Sequence, residues 1–330
     1  ISSSYVFVNA VLVVASAVLL IILNIFYTFD YVSWLGIYTN ILIAFLYQYF
    51  QFSQLFARFD YDFKSISKVQ ILDLTFKAFI TIVLVYLYGV VGFFIALFFG
   101  YLIGAIFSKK LLNPKFKLIL SKKAIKETIR LGFPLLLIGA VLTLFQSVDR
   151  WFILKSLGVA ELGYFAIMFT FSSLILLVPI RVLSVVIQYV REYYFKTKDH
   201  AVIHFGFIDL LFLFIVLNTI LILISKEFVF YLLKYYLIEY QVSYDFVNPM
   251  FAVSYFIGAF HILSAYFVIV SKTRYTLISV SVAFIFSIVF NFVAVYFYNT
   301  LYAISMATLL SGFVLFGIVL YFFIVEGVGG

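Results

Sequence analysis

The chain lacks cysteine entirely and has only three histidines and four prolines among its 330 residues. Without cysteine, disulfides and thiolate metal sites are excluded. The histidines, His200, His204 and His261, are too few and too scattered to indicate a metal site. Charged residues are also scarce, at 11% of the chain, whereas a soluble domain has about a quarter. This scarcity excludes an ordinary soluble fold, which needs more polar surface.

Sequence patterns for enzymatic chemistry are missing as well. The chain contains no Gly-x-x-x-x-Gly-Lys-Ser/Thr loop for ATP, no His-Glu-x-x-His zinc pattern and no nucleophile elbow. We therefore predict that the protein is not an enzyme, does not hydrolyse ATP and needs no cofactor.

Apolar residues, in contrast, are abundant. They make up 66% of the chain, and the mean hydropathy is +1.20. Several apolar runs reach or approach the ~20 residues that cross a bilayer, and they are apolar on all faces, which favours helices over barrel strands. We predict an all-α polytopic membrane protein with about ten transmembrane helices, at roughly residues 5–27, 33–57, 70–88, 90–107, 131–154, 163–190, 203–225, 248–270, 276–298 and 301–324.

The distribution of positive charge orients these helices. The net charge of +8 would suggest a nucleic-acid partner in a soluble protein, but most Lys and Arg lie in short loops between predicted helices. Because the basic loops alternate with loops poor in positive charge, we assign the basic ones to the cytoplasm and expect no nucleic acid. Both termini of the chain are then cytoplasmic. The abundance of Ile, Lys, Phe and Tyr favours a prokaryotic cytoplasmic (inner) membrane.

A strongly basic stretch at residues 109–130 divides the chain and is predicted to be a cytoplasmic linker against anionic membrane lipids. Four predicted helices precede it (1–108) and six follow (131–330). The stretch 86–92 resembles the stretch 296–302, and both lead into small residues at four-residue spacing, which lets helices approach closely. Such a repeat would pair the first four helices with the last four. It predicts that 1–108 is the remainder of an N-terminal lobe without its first two helices.

The segment 124–198 is the most distinctive. It places Gly132-Phe133-Pro134 near the start of one predicted helix and Asp149-Arg150 near its outer end, followed by Leu-Gly-Val-Ala-Glu-Leu-Gly-Tyr at 157–164. This order resembles the opening of a lobe in the polysaccharide-exporter and O-antigen flippase family, part of the multidrug/oligosaccharidyl-lipid/polysaccharide exporter superfamily. Residues 58–67 resemble the basic loop before that family's fifth helix.

The resemblance implies a MATE-like two-lobe bundle, with 131–330 as the six-helix C-terminal lobe. It also implies flipping or export of a lipid-linked (polyprenyl-pyrophosphate) oligosaccharide across the cytoplasmic membrane by alternating access. The expected partners are the lipid-linked saccharide, membrane lipids, a coupling ion and glycan-assembly proteins. Three alternatives stay open: a cation-coupled multidrug exporter of the same superfamily, a membrane-embedded polysaccharide-assembly enzyme, and a scaffold without transport.

Charged residues within the predicted helices are the first candidates for function, since charge inside a membrane is costly. Arg181 lies near the middle of the sixth helix and is predicted to bind substrate phosphate, unless it pairs with an acidic neighbour. Asp73 and Lys77 share a helix face because they are four residues apart, and they either pair or bind substrate. Asp149 and Arg150, at the outer end of the fifth helix, either bind substrate, as the resemblance implies, or have a structural gating or capping role.

Polar side chains within the helices are the second group. Gln48, Gln51 and Gln54 form a polar set in the second predicted helix, where Gln48 and Gln51 share a face, as do Gln51 and Gln54. They either line a sugar cavity or bridge helices. Asn218 and Asn291 have the same two interpretations, and His261 is a buried hydrogen-bonded residue or a proton carrier. No catalytic or metal-binding residue is predicted, and the substrate-binding set comprises Arg181, Lys77, Arg150, Asp149, Arg130, Asp73, Gln146, Gln48 and Gln51, with Arg130 also serving as a topology charge at the cytoplasmic mouth.

Overall fold

A computed structural model describes residues 31–59, 63–112 and 122–329. These ranges contain nine α-helices, one 3-10 helix and no strand, which confirms the predicted all-α architecture. The helices are α1 (Tyr31–Phe59), α2 (Phe63–Leu112), α3 (Lys122–Phe145), α4 (Val148–Ser156), α5 (Val159–Thr197), α6 (His200–Tyr235), α7 (Val247–Ile269), α8 (Thr273–Phe297) and α9 (Leu301–Gly329), with the 3-10 helix (Ile238–Phe246) between α6 and α7.

Seven helical segments in the described part of the chain are long and apolar enough to cross a membrane. The protein is therefore a multi-pass membrane protein. The first predicted span, 5–27, lies outside the described residues. Helix α1 covers the second predicted span. Its 29 residues are enough to cross a membrane, but the helix is more polar than the seven segments above.

Helix α2 contains two of the predicted spans. Its 50 residues turn back at Gly89, whose φ of 57° and ψ of −133° are not helical. Glycine adopts this positive φ without the steric penalty of a side chain. The two arms, 63–88 and 90–112, run side by side, since Gly100 lies against Lys77 and Gly104 against Asp73. This hairpin confirms the predicted boundary between spans 70–88 and 90–107.

Small residues let the arms approach closely, as their four-residue spacing predicts. A Cβ atom on Gly92 would lie 1.9 Å from the carbonyl oxygen of Leu84 on the other arm. Ala96, one turn further on, is completely buried.

Replacing Gly92 by valine is therefore expected to destabilise the protein by at least the ~1–3 kcal/mol typical of an overpacked core. The physical reason is that a backbone carbonyl, unlike a side-chain end, cannot rotate away. The midpoint of thermal denaturation in detergent measures the effect. Gly139→Val is the matched control, because a Cβ there meets no atom within 4 Å. Equal midpoints for the two variants would contradict the close packing.

The fifth predicted span, 131–154, is confirmed by the apolar segment Gly132–Ser156, but the helix is interrupted within it, since α3 ends at Phe145 and α4 starts at Val148. The backbone amide of Ser147 donates to the Leu144 carbonyl there, a tighter pattern than that of an α-helix. The end of the seventh predicted span, residue 225, was wrong, because α6 continues to Tyr235.

The chain forms two compact units, Ile1–Leu131 and Gly132–Gly330. In the second unit α7 is the central helix, and α5, α6 and α9 pack around it. One apolar core surrounds Phe207 and Phe260, and a second surrounds Phe165 and Met250. The outer helices keep large apolar side chains exposed, which suits contact with lipid.

Candidate functional site

A cavity of about 380 Å³ lies between α5 and α7 in the second unit. Ser184, Gln188 and Arg191 line it from α5, and His261 lines it from α7. The remaining wall is apolar and includes Ile187 and other residues, namely Ile180, Leu183, Ile262, Ala265, Val268 and Ile269. The cavity therefore offers polar groups and a cation next to an apolar surface.

The polar lining of α5 continues to Arg181. Positions 181, 184, 188 and 191 are three, four and three residues apart, which puts them on one side of the helix, over about 15 Å. We call these four residues the polar stripe. The side chain of Arg181 is exposed and forms no ion pair with any residue that the structure describes. Ser184 Oγ donates to the Arg181 carbonyl oxygen at 2.7 Å.

Lys77 and Asp73 form an ion pair in the first unit, with Lys77 Nζ 2.8 Å from Asp73 Oδ2. The ammonium also lies 3.7 Å from the centroid of the Tyr101 ring and 5.2 Å from that of Phe50. Asp73 is 8% exposed, and its Oδ1 atom has no hydrogen-bond partner among the described residues. The structure thus shows the pairing that the four-residue spacing predicts.

The glutamines of α1 differ in their surroundings. Gln54 is buried and its Oε1 accepts a hydrogen bond from Gln70 Nε2 at 2.9 Å, so it bridges α1 to the first arm of α2. Gln48 and Gln51 are half-buried on the same helix. Their role in substrate binding stays a prediction.

Asp149 and Arg150 reach different partners. Asp149 is buried; its Oδ1 accepts from the Arg150 backbone amide at 2.7 Å, and its Oδ2 accepts from Thr308 Oγ1 at 3.2 Å, which ties α4 to α9. The Arg150 guanidinium lies 4.0 Å from the centroid of the Phe169 ring on α5, in cation–π geometry. These contacts suit a structural connection between helix ends.

The other candidates lie apart from the cavity lining. Arg130 is exposed in the early turns of α3, and Gln146 is half-buried at the turn between α3 and α4. Asn218 Nδ2 donates to Ser254 Oγ at 2.9 Å, which bridges α6 to α7. Asn291 Nδ2 donates to the Ser287 carbonyl within α8 at 2.8 Å.

Comparison with known proteins identifies the family. The model of a family described as "Polysaccharide biosynthesis protein" matches residues 1–191, more than half of the chain. The chain belongs to this polysaccharide biosynthesis family. The resemblance to polysaccharide exporters inferred from the sequence is thereby confirmed. No curated protein matches the sequence of this polysaccharide biosynthesis family member.

Solved structures share its fold. An inward-facing multidrug resistance MATE family transporter of the MOP superfamily matches with a TM-score of 0.70 at 14% identity, over 98% of this chain and 81% of that chain. A MATE crystal structure in complex with MaL6 matches with a TM-score of 0.70 at 15% identity, over 98% and 79%. An outward-facing MATE family transporter matches with a TM-score of 0.67 at 14% identity, over 98% and 78%. The protein therefore has the fold of a membrane exporter.

Proposed function

We propose that this polysaccharide biosynthesis family protein flips or exports a lipid-linked, polyprenyl-pyrophosphate oligosaccharide by alternating access. The observation that carries the proposal is the polar stripe on α5, with arginines at both ends and a serine and a glutamine between them. Such a substrate has an anionic pyrophosphate, a polar sugar and an apolar chain. The stripe and the apolar wall beside it offer a complementary group for each.

Arginine suits the phosphate role because its planar guanidinium forms paired hydrogen bonds to phosphate oxygens and keeps its charge. Arg181 needs no rearrangement of an existing ion pair to do so, since none is formed within the described residues. Arg191 lies close to Lys196 and Lys198 at the end of α5, the end assigned to the cytoplasm. The substrate would therefore meet Arg191 first and Arg181 deeper in the membrane.

A multidrug exporter is the second candidate, favoured by the fold shared with MATE transporters. A cationic drug needs an accessible carboxylate in its binding cavity. The described residues that line the cavity include Arg191 and His261 but no Asp or Glu. Asp149 is buried, and its carboxylate accepts hydrogen bonds from the Arg150 backbone amide and from Thr308 Oγ1. The charge of the cavity therefore favours an anionic substrate.

The coupling ion, the glycan-assembly partners, the prokaryotic inner membrane and the cytoplasmic termini belong to the same proposal. We expect no covalent chemistry on the saccharide, so the protein would move its substrate unchanged.

A reconstituted flipping assay tests the function. The full-length protein is placed in vesicles with a labelled polyprenyl-pyrophosphate saccharide, and movement between leaflets is followed by accessibility of the sugar to an external lectin. We expect movement well above that of protein-free vesicles. In parallel vesicles, a lipophilic cationic dye should cross at the protein-free rate. Dye transport without saccharide movement would reverse the choice between the two candidates.

A further inference from the structure

The Asp73–Lys77 pair differs from the other ion pairs within the described residues. The Glu192–Lys196 pair lies at an exposed helix end, and Lys272 pairs with Glu326 where α8 begins and α9 ends. Within the predicted span 70–88, Asp73 lies about one helical turn and Lys77 about two turns from the start, so the pair is inside the span, beyond the basic residues Lys64 and Lys68. Because desolvation offsets the attraction of a buried pair, stability alone is a weak reason for such a pair.

The second arm of α2 is shaped around this pair. A Cβ atom on Gly104 would lie 2.3 Å from Asp73 Oδ1, and one on Gly100 would lie 2.5 Å from Lys77 Cγ. Any larger residue at either position would displace the carboxylate or the lysine stem. The two glycines therefore leave the space that the charged side chains occupy.

Asp73 depends on Lys77 for its attractive contacts more than Lys77 depends on Asp73. The Lys77 ammonium lies on the face of the Tyr101 ring, and Phe50 is close to it, so aromatic rings attract the cation even without the carboxylate. Asp73 has only Lys77: its second oxygen, Oδ1, has no hydrogen-bond partner among the described residues. Lys77 is also the more accessible partner, with its side chain 21% exposed against 11% for Asp73.

Among the described side chains, the groups around Asp73 supply no second cation. Lys77 faces it from its own arm and Tyr101 from the second arm, with Tyr47 of α1 packed edge-on against Tyr101 at 5.6 Å. Gln54 and Ser108, from α1 and the second arm, are buried and uncharged, and each has a polar atom without a described partner. If Lys77 turns away, Asp73 is left as an isolated carboxylate inside the membrane.

We propose that Lys77 exchanges partners during transport. The Lys77 ammonium leaves Asp73 and pairs with a phosphate group of the substrate, and the Asp73 carboxylate then takes up one proton from water. The exchange rests on the proposed function, which supplies the anion. It changes no covalent bond except the O–H bond that forms on Asp73, and Lys77 keeps its charge throughout. A proton neutralises the carboxylate when its cation leaves, because an unpaired charge in the membrane is costly.

Proton uptake and anion binding are then linked in both directions. Since the anion-bound state holds one more proton, anion affinity rises as the pH falls, by at most about tenfold per pH unit. Neutralising Asp73 permanently removes this dependence.

Calorimetric titration measures the linkage directly. Farnesyl pyrophosphate, a short polyprenyl pyrophosphate without a sugar, is titrated into the full-length protein in nanodiscs, in buffers of different ionisation enthalpy. The buffer dependence of the heat gives the protons taken up per probe bound. We expect the wild type to take up roughly one proton more than Asp73→Asn. Protonation of the probe itself is common to both proteins and cancels.

Two further variants make the result decisive. Glu192→Gln removes the acid of the other pair with four-residue spacing and should match the wild type. Lys77→Gln should have lost the extra proton uptake, because Asp73 in this variant already carries the proton before the probe binds. This variant tests the exchange even if Asp73→Asn fails to fold. Equal proton uptake in the wild type and in either pair variant overturns the exchange and leaves the proposed function standing. A wild type that does not bind the probe contradicts the proposed function, and the exchange with it.

Discussion

Arg181→Ala is expected to slow flipping of the lipid-linked saccharide by about ten- to a hundredfold, since a hydrogen bond to a charged group contributes roughly 1.5–3 kcal/mol. The protein should still fold, because the Arg181 side chain is exposed and forms no ion pair with any described residue. The rate in reconstituted vesicles, measured at equal protein content, checks the first expectation. The midpoint of thermal denaturation checks the second.

Two matched variants separate charge from geometry in this experiment. Arg181→Lys keeps the positive charge but loses the paired donors of the guanidinium, so its rate should lie between those of the wild type and Arg181→Ala. Arg274→Ala removes an exposed arginine at the start of α8. Within the described residues, the Arg274 guanidinium donates a hydrogen bond to the Tyr275 hydroxyl, so its loss should leave the rate unchanged. A wild-type rate for Arg181→Ala would remove this residue from the substrate path.

The fold was largely predictable because a bilayer restricts the chain to long apolar helices. The hairpin in α2 followed from two apolar runs around Gly89, and the close packing of its arms followed from the spacing of Gly92, Ala96 and Gly100. The break after Phe145 was not predictable, because neither glycine nor proline marks it. The seventh predicted span ended at residue 225, before the charged residues Lys226 and Glu227, but α6 continues to Tyr235. Charged side chains near a helix end can extend to the polar headgroups, so they do not end the helix.

The candidate site was predictable only where neighbours are close in sequence. The Asp73–Lys77 pair follows from four-residue spacing on one helix. The polar stripe was also readable from spacing, but Arg191 was assigned to a cytoplasmic loop because α5 was expected to end at residue 190 rather than at Thr197. The contribution of His261 requires that α7 packs beside α5, and this depends on tertiary structure.

The cavity between α5 and α7 gives the second large prediction, because filling it should stop transport without unfolding the protein. Ser184 lines the cavity and is exposed, and its hydroxyl donates only to a carbonyl of its own helix, so little stability is lost when the side chain is replaced. In Ser184→Trp the indole would occupy the space between Gln188 and the apolar wall. We expect flipping to fall to the level of protein-free vesicles.

The neighbouring residue provides the control. Val185 is 56% exposed and does not line the cavity, so Val185→Trp adds the same side chain to the same turn of α5 but directs it elsewhere. Its flipping rate should remain close to that of the wild type, and both variants should have wild-type denaturation midpoints. Loss of flipping in both variants would indicate that a large side chain on this turn of α5 stops transport whichever way it points. Normal flipping in Ser184→Trp would place the substrate path outside this cavity.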